Sequence, residues 1–301
     1  MSAKTATTIE EQIAKMISRG MIIDDIEKAK KFLLNNSYYR VGSYSFPFEE
    51  KYPQVIDRDH KLKKGTNFND VIELYNFDFI IRNLLLKYIS IVETSIKTAI
   101  TYIVSNHYTS SSTWFVDPGV VEKSYLSEFD KKVYTAKFRL NKVIKNHHLK
   151  YPKDSYAPAW KTIEFMTLGA VIELFKSIID SLLKNQIAKK YNIKSTKIFI
   201  NYIQSIRDLR NLCAHGSVIF DMRLKMGLKK GPATPILKDE MKTNLCGITC
   251  LIEYFLRQID PINAECFMRE KGHIINKYKN NPVLKPIIEW HYPINCVNDN
   301  A

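Results

Sequence analysis

The sequence lacks the motifs on which several large enzyme classes depend. It has only 10 glycines in 301 residues, and none of them forms a glycine-rich phosphate loop, which argues against P-loop NTPases and dinucleotide-binding enzymes. It also has no Ser, His and Asp in the order of a catalytic triad and no H-E-x-x-H zinc motif. Few of the common catalytic chemistries therefore remain to be considered.

Cysteine is also scarce. The five cysteines are odd in number and lie late in the chain, mostly among apolar residues: Cys213, Cys246, Cys250, Cys266 and Cys296. Such cysteines are expected to be reduced thiols. Cys246 and Cys250 are four residues apart on an apolar helix, but no further His or Cys has the spacing of a zinc site. We therefore expect no metal and no other cofactor.

No hydrophobic run is long enough to cross a membrane. The longest apolar region, from Phe79 to Val104, is interrupted by charged residues, so it cannot be a spanning helix. The N-terminus leads directly into a polar helix, which indicates that no signal peptide is present. The expected location is cytoplasmic, without a membrane partner.

Acidic residues are fewer than basic residues. With 45 Lys and Arg against 31 Asp and Glu, the net charge is +14 and the pI about 9.4. This excess predicts affinity for a polyanion, with nucleic acid first, an anionic membrane second and plain solubility as the remaining explanation.

The charge is most one-sided over residues 131–153, called the basic segment below. It contains no acid and eight cations: Lys131, Lys132, Lys137, Arg139, Lys142, Lys145, Lys150 and Lys153. Tyr134, Phe138 and Tyr151 are interleaved with the charge. The pattern favours a track for the RNA backbone, with contacts expected from Lys137, Arg139, Lys142, Lys145 and Lys150. A solvated helix face is the alternative.

Apolar residues recur at helical spacing through most of the chain, and no stretch alternates as a strand would. The sequence therefore predicts an all-α protein, a helical bundle with an N-terminal cap of helices and aromatic residues. We expect three parts: the cap at 1–66, the bundle at 67–260 and a helical tail at 261–301. Trp290 and Tyr292 are candidates for docking the tail.

The helices are expected in a definite order. The pattern predicts two short helices in 8–35, one long helix or two from Phe68 to about Asn106, one from Pro158 through Leu183, one from Asn244 to Ile259 and a short one over 263–276. Residues 38–56 are rich in aromatics without a helical period, and either close a core or stack on bases. Residues 225–235 are expected to be an exposed basic loop.

One helix combines an apolar face with an unusually polar edge. Residues 207–216 read RDLRNLCAHG and close an apolar-periodic run that begins at Phe199, with Gly216 as the stop signal. The pattern is typical of the last turns of a buried helix.

The polar residues of this stretch do not all share a face. At about 100° per residue, Arg207, Asn211 and His215 form a single file, whereas Arg210 is about 140° from His215. Either the helix unwinds near Gly216, or two copies of the stretch face each other and each contributes part of one site.

Arginine and histidine together support a narrow chemistry. Histidine exchanges a proton near neutral pH, and arginine is a permanent planar cation suited to a phosphate and to the charge that builds on it. These properties suit metal-independent RNA cleavage, in which the 2′-hydroxyl attacks the adjacent phosphate. DNA lacks that hydroxyl.

Three blocks resemble a known family. Residues 210–215 (RNLCAH) resemble the R-x(4–6)-H motif of HEPN ribonucleases, in the RNxCAH form of the Abi-like abortive-infection family (AbiD/AbiF type). Residues 38–48 (YYRVGSYSFPF) resemble its N-terminal block YYRLSGYxxPF, and 158–164 (PAWKTIE) followed by Gly169 resemble its central block P-x-W-x-x-x-E…G. Beyond the histidine, the family's H-x-R-L-W-N-R is replaced by GSVIFDMR, in which only Arg223 preserves the basic end.

The resemblance implies a HEPN-like bundle and an endoribonuclease that defends against phage by shutting down the host cell. His215 would then be the general base or acid, Arg210 would hold and neutralise the scissile phosphate, and Asn211 would bind the phosphate or orient the histidine. A homodimer with facing motifs is implied as well. Such a toxin must be restrained, for example by an inhibitory or regulatory RNA, and no small-molecule ligand is expected.

Glu93 and Arg207 are candidates for supporting roles in the site, and Arg40 is a candidate for binding RNA. Glu93, which with Asp78, Arg82 and Lys97 resembles the family's FD…LR…IE…R pattern, either faces the site or is an ordinary surface charge. Arg207 shares the histidine's face. Arg40 either pins its loop or contacts RNA.

Two other interpretations stay open at this point. In one, the protein is a helical module that binds a small structured or regulatory RNA through the basic segment and cuts nothing. In the other, Arg207, Asn211 and His215 form a satisfied polar network inside the bundle.

Overall fold

The structure is a computed structural model that describes residues 5–235 and 237–291. The described residues form α-helices, short 3₁₀ turns and no β-strand, so the all-α prediction is confirmed. Two expectations, on Tyr292 and Cys296, lie outside the described residues.

The helices of the described residues follow one another in this order: α1 (Ile9–Ser18), α2 (Ile26–Asn36), α3 (Tyr38–Ser45), α4 (Phe68–His107), α5 (Lys123–Lys132), α6 (Ala136–Arg139), α7 (Lys142–Lys150), α8 (Ala159–Phe165), α9 (Leu168–Ser177), α10 (Ser181–Lys189), α11 (Thr196–Ala214), α12 (Leu245–Ile259), α13 (Pro261–Lys279) and α14 (Lys285–His291).

The 40-residue helix α4 is the centre of the fold. At 1.5 Å per residue it is about 60 Å long, and it begins where the Asn67 side chain accepts a hydrogen bond from the Asn69 amide. Helices α3, α8, α9, α10, α11, α12 and α13 pack around it. The apolar period from Phe68 therefore belongs to one helix, and its buried face extends over most of its length.

The N-terminal cap contains the two short helices that were predicted, plus a third. A capping box between Thr8 and Glu11 starts α1. Residues 38–45, for which no helical period was recognised, form α3, which packs on α4. Tyr44 and Phe48 are buried in the core, whereas Tyr39 is 90% exposed. Most of the aromatic block thus closes a core.

The single helix predicted from Pro158 is three helices. Thr167 caps α9, accepting a hydrogen bond from the Ala170 amide (3.2 Å), and Asp180 caps α10 through the Leu182 amide (2.7 Å). Each cap starts a new helix axis, so part of the apolar run points outward. Trp160 is 55% and Leu182 76% exposed, and the expectation that this run is mostly core is wrong at these positions.

Residues 225–235 also differ from expectation. Instead of extending into solvent, the loop is hydrogen-bonded to α11: Asn201 accepts from the Lys229 amide (2.8 Å), and the Tyr202 hydroxyl donates to the Lys229 carbonyl (3.2 Å). Leu228, Ala233 and Thr234 are buried, whereas the three lysines, Met226 and the two prolines remain exposed.

The C-terminal helices complete the core. Helices α12 and α13 pack on α4 and on each other, and His291 at the end of α14 lies 2.6 Å from the Tyr52 hydroxyl of the cap. Cys213, Cys250 and Cys266 are free thiols. Among the residues that the structure describes, every helix is too short or too polar to traverse a bilayer.

Candidate active site

The motif helix α11 stays regular to its last residue. It begins at a Ser195 cap and runs through Ala214, with His215 as the C-cap. The Ser217 amide then donates to the Leu212 carbonyl (2.9 Å) and the Gly216 amide to the Cys213 carbonyl (3.1 Å), which is the Schellman termination. Gly216 has φ +66°, a left-handed conformation that favours glycine. Because the helix does not unwind before His215, Arg210 and His215 stay on different faces.

An open groove of about 360 Å³ lies along the face that carries the histidine; we call it the motif groove. Arg207, Asn211 and His215 line it together, as their spacing predicted, and Arg223 and Lys225 contribute from the segment that follows the helix. The departure from the family pattern after His215 therefore still delivers basic side chains to the groove. Lys225 had not been singled out from the sequence, because nothing local indicates that its loop folds back here.

The groove side chains are largely free to act on a ligand. Asn211 and His215 are exposed, and neither side chain makes a hydrogen bond with any residue in 5–235 or 237–291. Arg207 pairs with Asp208 at 2.7 Å. The interpretation of these residues as a satisfied buried network is therefore wrong.

Arg210 lies beside the motif groove and does not line it. Its Nε is 3.7 Å from Glu93 Oε2, and the other oxygen of Glu93 is 2.9 Å from Lys97 Nζ. Lys97 also donates to the Glu164 carbonyl of α8 (3.2 Å). Glu93 thus contacts Arg210, one of the two alternatives that the sequence left open, and the Arg210 side chain remains 44% exposed.

The turn after the motif helix, residues 215–220, is held by one buried carboxylate. Asp78 of α4 is fully buried and accepts hydrogen bonds from the Ile219 and Phe220 amides (2.8 and 2.7 Å) and from the Tyr44 hydroxyl (2.8 Å). Burial raises the pKa of Asp78 above its usual range, and these hydrogen bonds oppose that shift by favouring the charged form. We call residues 215–220 the motif turn.

Two arginines satisfy the carbonyls of the motif turn. Arg40 Nη1 donates to the Gly216 carbonyl (2.9 Å), and Arg82 Nη1 donates to the Ser217 carbonyl (2.8 Å) while lying 3.4 Å from Asp78 Oδ2. Arg40 therefore pins a loop, but the loop is the motif turn, 176 residues away in sequence. An RNA contact by Arg40 stays a prediction. The N-terminal family-like block thus meets the motif block at the end of the motif helix.

Cys213 can be set aside as a nucleophile. It lies two residues before His215, but it is buried, and burial together with the nearby Asp78 charge raises the pKa of its thiol to about 12. The thiolate, which is the reactive form, is therefore scarce at neutral pH.

The basic segment folds into the end of α5, α6 and α7, and all eight of its cations are exposed. Lys131 and Lys132 lie near Glu128, whereas Lys137, Lys142 and Lys145 have no carboxylate within 4 Å in the described part of the chain. The interleaved aromatics are less available than expected. Tyr134 is buried, with its hydroxyl accepting a hydrogen bond from the Ala157 amide (2.8 Å).

Metal ligands do not gather at the motif or elsewhere in 5–235 and 237–291: no three His, Cys, Asp or Glu side chains are placed to hold an ion. The chemistry that the motif groove can perform with its own side chains is proton transfer by imidazole and stabilisation of an anion by guanidinium and ammonium groups.

Comparison with known proteins agrees with the arrangement of the blocks. No curated protein and no solved structure matches the chain. The model of the family described as Abi-like protein matches residues 31–221, which covers all three family-like blocks, both arginines of the motif turn and the whole motif helix. The chain therefore belongs to the Abi-like protein family, and this membership suggests a function in abortive infection.

Proposed function

We propose that this protein is a metal-independent endoribonuclease of HEPN type that acts as an antiphage abortive-infection toxin. The observation that carries the proposal is the motif groove, where an exposed, unpaired imidazole lies on the same face as Asn211 and close to three basic side chains. Cationic hydrogen-bond donors together with an imidazole that can transfer a proton suit a phosphodiester substrate.

The reaction follows from these groups. The imidazole of His215 takes the proton from a ribose 2′-hydroxyl, the 2′-oxygen attacks the adjacent phosphorus, and the bond from phosphorus to the 5′-oxygen breaks. The 5′-oxygen leaves as a hydroxyl with a proton from water, which gives a 2′,3′-cyclic phosphate, and the imidazolium then returns its proton to the solvent. Asn211 donates a hydrogen bond to a phosphate oxygen, and guanidinium groups neutralise the charge that develops. In a homodimer with facing motifs, Arg210 of one copy would reach the His215 groove of the other, which agrees with its exposed position outside its own groove.

The proposal is tested by incubating purified protein with labelled total RNA in excess EDTA. Wild type should cleave, and His215→Ala should lose at least about 100-fold in rate, the usual contribution of a general acid or base. The variant should stay folded because the side chain is exposed. His107→Ala is the matched control, since His107 is also exposed at the end of a helix, and it should keep wild-type activity. Equal rates for His215→Ala and wild type would refute the proposal.

A second function is favoured by the exposed cations of the basic segment: binding a small structured or regulatory RNA without cutting it. In that case, wild type and His215→Ala would bind RNA equally tightly, with strong salt dependence, and neither would cleave it.

A further inference from the structure

A second open groove, of about 410 Å³, lies in the N-terminal cap; we call it the cap groove. Its walls are α1, α3 and residues from 49–62, and α3 separates it from the motif turn. Its size is that of a typical small-ligand site. No residue of the motif groove lines it.

The cap groove has an excess of positive charge. Lys15 and Arg19 line it, and neither has a carboxylate within 4 Å among the described residues. Arg19 Nη1 donates to the Tyr38 hydroxyl (3.1 Å), which leaves its remaining N–H groups available.

The one carboxylate in the wall is already neutralised. Glu49 is 4% exposed and accepts two hydrogen bonds from Arg58 (2.6 and 2.9 Å), with the His60 ring at 3.0 Å. Glu49 therefore repels an anion only weakly, and the two unpaired cations, Lys15 and Arg19, favour an anionic ligand.

The wall formed by α3 is flat and open. Tyr39 is 90% exposed, so its ring face is available for stacking on a base. A Cβ built on Gly42 meets no heavy atom within 4 Å, which means that the helix surface there borders free space in the groove.

We propose that the cap groove binds a nucleotide that carries a terminal phosphate, either free or at the 5′ end of an RNA. Arg19 and Lys15 bind the phosphate, and Tyr39 stacks on the base. No small-molecule site was expected from the sequence, because the walls of this groove come from three separate segments. A ligand there contacts α3, the helix whose Arg40 and Tyr44 hold the motif turn, and so lies where it can influence the proposed active site.

The test is calorimetric titration of the full chain with AMP, and separately with one RNA oligonucleotide bearing either a 5′-phosphate or a 5′-hydroxyl. Arg19→Glu reverses the charge of the phosphate-binding residue and should weaken AMP binding about tenfold or more, the loss expected for charge-assisted hydrogen bonds. Gly42→Leu starts from a position where a Cβ has no neighbour within 4 Å, and it should weaken AMP binding by occupying space in the groove. Lys31→Glu, an exposed cation outside the groove, and Gly272→Leu, a helical glycine that also borders open space, are the matched controls.

AMP binding that falls in both groove variants and in neither control supports the site and identifies a free nucleotide as a ligand. A preference for the 5′-phosphorylated RNA that disappears in Arg19→Glu supports it and identifies an RNA end. Absence of both effects, or equal losses in the controls, would overturn it. Because binding is measured, the result does not depend on whether the protein cleaves RNA.

Discussion

Asp78 holds the motif turn, the segment that begins at the motif histidine, through the backbone amides of Ile219 and Phe220. Its two oxygens accept from two backbone amides of the motif turn, from Tyr44 and, at longer range, from Arg82. A carboxylate in a fully buried position is stable only if such donors replace its water. The arrangement means that α4 holds the segment after the motif helix through a side chain that never contacts substrate.

Replacing Asp78 with Ala should therefore greatly reduce the free energy of unfolding. The change leaves the Tyr44 hydroxyl and two amides without their acceptor and the Arg82 guanidinium without its charge partner, and breaking a buried charge pair in this way costs about 3–5 kcal/mol. The measurement is the free energy of unfolding from a urea titration. Asp239→Ala is the control, because that side chain is 98% exposed and should lose less than about 1 kcal/mol. A similarly small loss at Asp78 would contradict the account of the motif turn.

At the level of helices, hydrophobic periodicity predicted the positions of those helices that bury one continuous apolar face. The apolar spacing identified α1, α2, α4 and α12 near their true ends, because each buries one continuous face. It failed for the helix predicted over 158–183, where an almost unbroken apolar run concealed two N-caps, Thr167 and Asp180. The caps were visible in the sequence, but hydrophobicity alone does not show that a helix axis changes direction.

For the candidate site too, the sequence predicted which residues share a helix face but not the contacts between distant segments. The spacing of Arg207, Asn211 and His215 placed them on one face, and they line one groove. The contacts of Arg40 and Arg82 with the motif turn could not be derived, because they join residues 176 and 135 positions apart. Local patterns carry no information on which distant carbonyl a guanidinium will meet.

The basic segment gives a prediction about RNA affinity. Lys142→Glu combined with Lys145→Glu removes two exposed cations without a carboxylate partner, so RNA binding should weaken. The slope of log K against log salt should shrink by about 0.7 to 0.9 per lost phosphate contact. Filter binding at several salt concentrations measures both quantities.

The control for this double variant changes the net charge by the same amount outside the basic segment. Lys31→Glu with Lys277→Glu alters exposed residues on α2 and α13 and should leave the slope within experimental error. If both pairs reduce affinity and slope equally, the general charge of +14 attracts RNA, and the basic segment is not a track.

At the scale of the whole molecule, a regular motif helix separates Arg210 from His215 and favours a site shared by two copies. Mixing Arg210→Ala with His215→Ala tests this arrangement. Each variant alone should be inactive, but a mixed dimer contains one site with both residues intact. Since half of the pairs are mixed and one site in two is restored, activity should return to about a quarter of wild type.

No recovery on mixing, in a sample whose mass shows that subunits have exchanged, would mean that both residues act within one chain. The control is a mixture of His215→Ala with His215→Ala/Arg210→Ala, in which no intact site can form and no activity should appear.

Cleavage of RNA in the motif groove, as proposed, depends on the substrate's own 2′-hydroxyl. This dependence is tested by end-group analysis after cleavage of an RNA oligonucleotide in excess EDTA, beside the same oligonucleotide with one 2′-deoxyribose at the mapped cut. We expect 2′,3′-cyclic phosphate ends on the RNA and no cut at the deoxy position. Cleavage at the deoxy position, or products with 5′-phosphate and 3′-hydroxyl ends, would show that a different nucleophile attacks the phosphate.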